Sequence, residues 1–364
     1  MGWSRNGPSG RGPWRSGINL KRPALSHFVG VDIGGTKTAL VLGESSGDDG
    51  IRIQGKTVFP MGDRKGPEAI LDGIGDALPA ILGKHGLKPG DIAGCGISCG
   101  GPLDSRNGVL LSPPNLPGWS GYPIAAEIEK RTGLRARLEN DANAGALAEW
   151  RWGAARGFDH IVFLTFGTGM GAGLILNGRL YSGANGMAGE IGHIRLSDQG
   201  PVGFGKAGSF EGFCSGAGIA RLARIKVREA LLSGRQVHFC PQPEKADALT
   251  ARDVAEAANR GDDLAREIFR VSGEYLGRGL AILIDVLNPQ IIVIGSIYAR
   301  CEALLRDAAI AAVEKESLRI SRDSCRIVPS GLGEALGDYA ALAVAEDITF
   351  QGKEQHDHEN EAIR

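Results

Sequence analysis

The first residues that could do chemistry lie in one short segment near the amino terminus. Residues 28–42 read FVGVDIGGTKTALVL: an apolar run of strand length, a turn with two adjacent glycines, and a second apolar run. This pattern predicts a β-hairpin. Glycines put no Cβ over the turn, so its backbone N–H groups can point at an anion beside a hydroxyl and an ammonium. A tight turn without a ligand is the alternative, because glycine punctuation is common. The candidate phosphate ligands are Gly34, Gly35, Thr36 and Lys37.

A carboxylate stands at the mouth of this turn, at Asp32. It would repel a phosphate unless a divalent cation lay between them. Mg²⁺ is commonly held in this way, by one or two carboxylates together with phosphate oxygens. Asp32 is therefore predicted to hold Mg²⁺, through a bound water.

The same pattern recurs at residues 161–176, which read IVFLTFGTGMGAGLIL. The repeat suggests two similar domains, each offering a hairpin to one end of a nucleotide polyphosphate, and it favours the ligand interpretation of both turns. A later apolar strand ends at Gly295 and Ser296, where we predict the nucleoside end of the ligand. The candidate residues of the second turn are Gly167, Thr168 and Gly169.

Two polar residues follow a predicted strand at residues 135–138. Asn140 and Asp141 lie where this strand gives way to a helix, the position at which an α/β sheet displays catalytic groups. A carboxylate there can accept a proton from a sugar hydroxyl. Helix capping is the alternative, because Asp141 or Asn143 would serve well as a cap.

Other polar residues could face a small hydroxylated ligand. Glu190 and His193 are three residues apart, close enough to face one ligand, although a single histidine is more often structural. Glu211 adds a carboxylate in a glycine-rich loop. Asn115 lies in a proline-rich loop, where it could bond to a hydroxyl, whereas Trp119 of the same loop could simply pack it down.

Bulk composition limits the classes of protein. The chain has 364 residues, enough for two domains with their own cores, and its net charge of -1 provides no basic field for nucleic acid. The six cysteines are too few for a disulfide scaffold, and Cys95 and Cys99 are predicted to be buried free thiols. The sequence has no apolar run that could cross a bilayer and no signal-peptide core, so we expect a cytoplasmic protein without nucleic-acid or membrane partners.

Strands and helices alternate around these motifs, and three strands, a helix and a strand open the chain as in an actin-like half-domain. The predicted strands beyond the two hairpins are 51–59, 92–98, 135–138, 290–295 and 325–329. The predicted helices are 67–85, 124–132, 144–152, 251–259, 262–287, 304–318 and 336–346, the last folding back on the first domain.

Four motifs in this order resemble the ROK family, the sugar kinases and sugar-responsive repressors of the actin/hexokinase/Hsp70 ATPase superfamily. They are DIGGTK at 32–37, ENDAN at 139–143, GTGMGAG at 167–173 and GANGMAGEIGH at 183–193. The resemblance spans about residues 28–345. It implies ATP-dependent phosphorylation of a hexose, with glucose at its 6-hydroxyl first and an N-acetylhexosamine or another hexose such as fructose, allose or mannose second. A non-catalytic sugar-binding ROK protein is the other alternative.

The resemblance also implies an α/β fold of two actin-like, ribonuclease H-like domains with a cleft between them, ATP and Mg²⁺ as cofactors, and a homodimer. The expected domains are 28–138 with 330–348, and 139–329, flanked by disordered tails at 1–27 and 349–364. Asp141 would be the base on the acceptor hydroxyl. The sugar ligands would be Asn140, Glu190, His193 and Glu211, with Asn115 as a weaker candidate.

One segment departs from the family pattern. The family's zinc motif reads CxCGxxGCxE, whereas residues 202–211 read VGFGKAGSFE, which keeps glycines and the glutamate but none of the three cysteines. His193 alone cannot hold structural zinc, which needs four donors, so we predict no zinc and expect Val202 and Phe204 to pack the loop. Ser296 is a smaller departure, where the family commonly has a glycine.

Two other classes of protein share parts of this pattern. A repressor of this family would need an amino-terminal DNA-binding domain, which about 28 unpatterned residues are not expected to form. A chaperone-like or filament-forming ATPase would hydrolyse ATP without a sugar and would leave Glu190, His193 and Glu211 without a role.

Overall fold

The computed structural model describes residues 26–46, 50–61 and 66–348. Most of the first predicted tail and all of the second lie outside the described residues. Ser26 and His27, which we expected in the first tail, instead begin a strand.

The strands and helices follow in chain order. The strands are β1 (Ser26–Ile33), β2 (Lys37–Ser45), β3 (Ile51–Pro60), β4 (Ile92–Cys99), β5 (Leu103–Asp104), β6 (Val109–Leu110), β7 (Ala136–Asn140), β8 (Ile161–Leu164), β9 (Ala172–Leu176), β10 (Arg179–Leu180), β11 (Val202–Gly203), β12 (Lys206–Ala207), β13 (Ile291–Ile294) and β14 (Arg326–Pro329). The helices are α1 (Pro67–Gly83), α2 (Ile124–Thr132), α3 (Asp141–Trp152), α4 (Phe210–Phe213), α5 (Gly216–Leu232), α6 (Ala251–Asn259), α7 (Asp263–Leu287), α8 (Ile297–Glu316), α9 (Arg319–Asp323) and α10 (336–348).

Two five-stranded sheets share one pattern. The first has the order β3-β2-β1-β4-β7 and the second β10-β9-β8-β13-β14. In each, an antiparallel hairpin is followed by two strands that pair in parallel, β1 with β4 and β4 with β7, and β8 with β13 and β13 with β14. The repeated strand–turn–strand unit in the sequence therefore corresponds to a repeated sheet.

Helices cover the sheets through regularly spaced apolar residues. In α1 the buried positions recur every three or four residues, which places one stripe against the first sheet. Strand β13 reads IIVI and is buried along its whole length, as expected for a parallel strand covered on both faces. The buried residues of α1 are Ile70, Leu71, Ile74, Leu78, Ile81 and Leu82.

The carboxy-terminal helix returns to the first sheet and lies on its backbone. A Cβ added at Gly96 of β4 would lie 2.1 Å from the carbonyl oxygen of Ala341 and 2.3 Å from the amide nitrogen of Ala345. Glycine is therefore required at position 96 for this close approach, and α10 is held directly above β1 and β4.

The chain passes from the first sheet to the second between β7 and α3. Strand β7 pairs with β4 as far as Asn140, and α3 then contacts β8 and β9. The expected boundary between residues 138 and 139 falls inside β7, so we place the crossing after Asn140. The return crossing follows β14, which ends at Pro329.

Three of the longer helices differ from the sequence-based prediction, and the short helices α4 and α9 were also not predicted. Helix α3 begins at Asp141 rather than at residue 144, and α8 begins at Ile297 rather than at residue 304. Helix α5 was not predicted, although Ser215 caps it and residues such as Leu222 and Val227 bury one face. Polar or glycine-rich first turns hid the starts of α3 and α5 from the periodicity, whereas a kink at Cys301 separates the first turn of α8 from the rest of that helix.

A buried carboxylate ties α3 to the return crossing. Glu149 is fully buried and accepts hydrogen bonds from Ser330 Oγ at 2.5 Å and from the backbone nitrogens of Ala154 at 2.7 Å, Gly331 at 3.2 Å and Leu332 at 3.2 Å. Removing this acceptor would leave several donors without a partner. Hydrogen bonds to a charged group contribute more to stability than bonds between neutral groups, so their loss costs more. We expect Glu149→Ala to lower the free energy of unfolding by about 3 kcal/mol, measured by urea denaturation.

The matched control is Glu334→Ala, because Glu334 is exposed and its ion pair with Arg300 lies at the surface. Its effect should stay within about 0.5 kcal/mol. Equal unfolding midpoints for the two variants would contradict the structural role of Glu149.

Candidate active site

The predicted site residues of the first sheet meet because three parallel strands end at one edge. Ile33 is opposite Cys99 across β1 and β4, and Cys99 is opposite Asn140 across β4 and β7. Asp32 and Asp141 therefore lie at the same carboxyl edge, where open α/β sheets bind ligands. Their charges are close enough that each contributes to the electrostatics of the thiol of Cys99, whose pKa is raised first of all by burial.

The first hairpin presents an exposed turn. The backbone nitrogen of Gly34 donates to the carbonyl of Lys37 at 3.0 Å, which closes the turn. Gly35, Thr36 and Lys37 are exposed and open to a ligand. A Cβ at Gly35 would lie 3.1 Å from the carbonyl oxygen of Asn115, so the structure brings the proline-rich loop against this turn.

Within the proline-rich loop, the two polar candidates have different environments. Asn115 is exposed beside the first hairpin. Trp119 is 1% exposed and packs edge to face on Tyr122, with ring centroids 5.8 Å apart. Trp119 therefore packs the loop down, and Asn115 remains available to a ligand.

The second hairpin is closed by its own backbone. Thr165 N donates to Gly171 O at 3.0 Å and Gly167 N to Gly169 O at 3.0 Å, while Thr168 at the tip is exposed. Ser296 lies beside this turn, because a Cβ at Gly167 would lie 3.8 Å from Ser296 Oγ.

The residue pair at the end of β13 is held next to the second hairpin. Gly295 N donates to Leu164 O at 2.9 Å, and the backbone of Ser296 has a φ of 50°, a conformation that glycine adopts more readily. Ser296 Oγ accepts a hydrogen bond from Arg300 Nη2 at 3.1 Å, which holds the hydroxyl in one orientation. The predicted nucleoside residues thus adjoin the predicted phosphate residues of this sheet.

Asp141 is the first residue of α3 and is exposed to solvent, but the protein surrounds it on most sides. This desolvation raises the pKa of Asp141 from 3.8 to about 6. The hydrogen bond that Ala142 N donates to Asp141 Oδ1, 2.8 Å long, lowers the pKa, whereas the carboxylates of Asp32 and Glu190 raise it further. Glu190 and Asp32 come from different sheets or loops. Asp32 and Glu190 nevertheless lie near enough to Asp141 for their charges to affect it.

The helix cap is Asn140, not Asp141 or Asn143. Asn140 Oδ1 accepts from Ala142 N at 2.9 Å, whereas Asn143 is buried and donates from Nδ2 to Glu139 Oε1 at 2.9 Å. Capping by its neighbour leaves Asp141 at the open end of the helix. The Asn140 amide nitrogen also lies close to the loop after β4, 3.2 Å from a Cβ added at Gly101.

Asp32 has a raised pKa for a related reason. Burial and the carboxylate of Asp338 raise it from 3.8 to about 6, and the ammonium groups of Lys37 and Lys56 oppose the shift. Lys56 Nζ is 2.7 Å from Asp338 Oδ2, and a Cβ at Gly337 would lie 2.5 Å from Asp32 Oδ2. Sequence reasoning did not place Gly337 and Asp338 beside Asp32. The available signal in the sequence was a Gly-Asp pair in the first turn of the predicted final helix.

The oxygen donor at Asp32 fits Mg²⁺, a hard cation that keeps several waters and binds through few carboxylates. A dication would relieve the repulsion between Asp32 and Asp338. Among residues 26–46, 50–61 and 66–348, no group of three or more His, Cys, Asp or Glu side chains could hold a metal ion. Most ligands of Mg²⁺ at Asp32 would therefore come from water and phosphate.

Two further sugar candidates lie at the second hairpin. Glu211 Oε2 accepts from the backbone nitrogen of Met170 at 3.2 Å, and a Cβ at Gly192, next to His193, would lie 3.3 Å from Glu211 Cβ. Glu211 and the segment carrying His193 are thus neighbours, although 18 residues separate them in the sequence.

The expected packing of the zinc-motif segment is wrong. Val202 is 45% and Phe204 68% exposed, so neither fills the interior of the loop. The buried residue is Ser209, whose hydroxyl accepts from Gly212 N at 3.1 Å as the cap of α4 and donates to Gly203 O at 3.4 Å. A small polar side chain therefore holds the segment by hydrogen bonds, and residues 202–211 contain no cysteine.

The chain belongs to the ROK family, whose model matches residues 28–348. It is 36% identical over 270 residues to a glucokinase of Halalkalibacterium halodurans, covering 74% of this chain and 79% of that protein. It is 33% identical over 279 residues to an N-acetylmannosamine kinase of Escherichia coli, covering 76% of this chain and 85% of the relative.

The fold is also that of a solved kinase structure. A ROK family glucokinase from Streptomyces griseus, in complex with glucose and AMPPNP, aligns with a TM-score of 0.68 and 29% identity over 88% of this chain and 100% of that chain. The prediction of an α/β protein built from two actin-like domains is confirmed. In the part of the chain that the structure describes, no helix is long and apolar enough to span a membrane.

Proposed function

We propose that this protein transfers the γ-phosphoryl group of ATP to a hexose, with the 6-hydroxyl of glucose as the acceptor. The observation that carries the proposal is the position of Asp141 at the carboxyl edge of the first sheet, with a raised pKa to which the charges of Asp32 of the first hairpin and Glu190 of the second half contribute. The glucokinase relatives support glucose as the substrate.

In the proposed mechanism, Asp141 accepts the proton of the attacking hydroxyl. Phosphoryl transfer depends mainly on positioning and on stabilising charge, and proton removal comes late, so a carboxylate of pKa about 6 is basic enough. Asn140, Glu190, His193 and Glu211 would orient the sugar hydroxyls, with Asn115 at the edge of the site.

The two hairpin turns would hold the triphosphate, through Gly34, Gly35, Thr36 and Lys37 on one side and Gly167, Thr168 and Gly169 on the other. Gly295 and Ser296 would contact the nucleoside. Mg²⁺, held through water by Asp32, would neutralise charge on the phosphates when bound.

Closure of the two halves would exclude water from the site. Without closure, water could attack ATP and hydrolyse it. The crossings after Asn140 and after Pro329 are the two places where the backbone could bend. The proposed domains are 28–140 with 330–348, and 141–329, so the first boundary lies two residues beyond the one expected from the sequence.

The raised pKa of Asp141 predicts an acid limb in the pH profile. Below its pKa of about 6 the carboxyl is protonated and cannot accept a proton, so kcat/KM should fall about tenfold per pH unit on the acid side. The measurement is kcat/KM for glucose from pH 4.5 to 8, with buffers matched in ionic strength. A profile flat down to pH 4.5 would contradict Asp141 as the base.

The experiment that tests the function is a panel of sugars assayed for ADP release and for the sugar phosphate itself. Glucose should be phosphorylated with the highest kcat/KM. Preference for N-acetylmannosamine would favour the second candidate, which the Escherichia coli relative supports. ATP consumption that no sugar stimulates, or sugar binding without turnover, would overturn the kinase proposal.

We further propose a cytoplasmic homodimer. Exposed apolar residues on α7 and before α9 support a protein contact there. Val286 and Leu318 are both exposed, and Leu318 N donates at 3.0 Å to Oδ1 of Asp285, the residue before Val286. Light scattering on the purified protein measures the mass and decides between one chain and two.

A further inference from the structure

The segment that departs from the family motif folds back onto His193. Strands β11 and β12 form a hairpin, and an antiparallel bridge pairs Arg195 with Ser209. Phe210 N donates to Ile194 O at 2.8 Å on one side of this bridge. The backbone therefore places the tip of the hairpin next to His193.

Two side chains of the hairpin contact His193 directly. Lys206 Nζ donates to the carbonyl oxygen of His193 at 2.7 Å, across 13 residues of sequence. The ring of Phe204 meets the imidazole edge to face, with centroids 5.0 Å apart and planes at 87°, a favoured geometry for aromatic pairs. One contact holds the peptide of His193 and the other its ring.

Phe204 has a backbone conformation that is unfavourable for phenylalanine, so its side chain should make an interaction that offsets this cost. Its φ is 44°, in the left-handed region that favours glycine, and its side chain is largely exposed, so burial does not account for a phenylalanine there. The ring contact with His193 is the interaction that glycine could not supply. Lys206 is half-buried, which strengthens its bond to the carbonyl.

We propose that Lys206 and Phe204 are positioning residues that hold His193 toward the sugar without a metal. The proposal rests on the proposed kinase function for its sugar-binding consequence. The segment does not fit zinc, because Val202, Phe204 and Ser209 stand where cysteine ligands would be needed and four donors are required. A cationic hydrogen bond and an aromatic contact hold the histidine in its place.

The kinetic test compares Lys206→Met, which keeps the length but loses the donor, with Lys206→Arg, which keeps a cationic donor. Lys206→Met should raise the sugar KM roughly tenfold with kcat and the ATP KM little changed, and Lys206→Arg should restore most of it. The matched control is Lys315→Met, because Lys315 is exposed on α8. An unchanged sugar KM in Lys206→Met would overturn the proposal.

The second variant, Phe204→Gly, separates positioning from folding. Glycine accepts the positive φ, so the melting temperature should hold or rise, yet the sugar KM should rise. A KM equal to that of the wild type would show that the ring only fills a turn.

A third measurement does not depend on activity. The imidazole proton resonances of His193, assigned by their loss in His193→Gln, should shift in Phe204→Gly because the nearby ring is removed. Metal analysis of the purified wild type should find no stoichiometric zinc. Unmoved resonances or one zinc per chain would overturn the positioning proposal, whereas shifted resonances in a protein that phosphorylates no sugar would overturn the kinase proposal alone.

Discussion

Replacing Asp141 by Asn is expected to lower kcat by roughly 10²-fold or more while the dissociation constant for the sugar stays nearly unchanged. Asparagine has the same size and can still accept the hydrogen bond from Ala142 N, which is 2.8 Å from Asp141 Oδ1. It cannot accept the proton of the attacking hydroxyl. Turnover is measured by coupled assay and sugar binding by calorimetry.

The same substitution should not weaken the fold. The pKa of Asp141 is raised from 3.8 to about 6, so in the folded protein the group binds its proton more tightly than in the unfolded chain. Its contribution to stability is therefore greatest below pH 3.8 and is lost as the pH rises through 6. Above that range the ionised carboxylate disfavours folding, and asparagine removes this penalty.

The melting temperature of Asp141→Asn at pH 8 should therefore equal or exceed that of the wild type. The control is Asp76→Asn, because Asp76 is exposed on α1, and it should change neither turnover nor melting. A near-normal kcat in Asp141→Asn would remove Asp141 from the mechanism. A large drop in melting temperature would show that the loss of turnover reflects unfolding.

Replacing Gly96 by Val is the second large change, and here the effect falls on the fold. The added Cβ would meet the backbone of α10, 2.1 Å from Ala341 O and 2.3 Å from Ala345 N. Backbone atoms cannot move aside without lifting the helix from the sheet. We expect a loss of about 3 kcal/mol or more in the free energy of unfolding, although valine has the higher strand propensity.

The steric effect decides this case because strand propensities span only about 1 kcal/mol. The control is Gly83→Ala at the end of α1, where an added Cβ meets nothing within 4 Å and should leave stability equal or higher by up to about 1 kcal/mol. Denaturant unfolding measures both variants. Equal stability of Gly96→Val and the wild type would mean that α10 does not lie against β4 at this position.

Lifting α10 should also disturb the site, because its first turn carries Asp338 beside Asp32. Those molecules of the Gly96→Val variant that remain folded should therefore also bind ATP more weakly than the wild type. This link between the last helix and the first hairpin joins residues more than 300 positions apart in the sequence.

Local patterns were sufficient for the hairpins and for most helices. The turn after Asp32 and the turn at 165–171 follow from glycines between apolar runs, and α1 follows from its apolar spacing. Local pattern failed to predict the start of a helix that begins with polar residues, as at Asp141. In the sequence, a polar residue at a strand-to-helix junction can be either a helix cap or a ligand-facing group of the helix itself. Local pattern failed again at Phe204, because an apolar residue in a loop predicts burial and this one is 68% exposed.

The sequence by itself determined the family motifs, the repeated hairpin and the absence of the motif cysteines, since these depend on neighbouring residues alone. Only the tertiary structure decided that Asn140 and not Asp141 caps α3, that Asp338 lies beside Asp32, and that Lys206 and Phe204 contact His193. The physical reason is that these contacts depend on strand register and helix packing, which join distant segments through close backbone approach rather than through any local pattern.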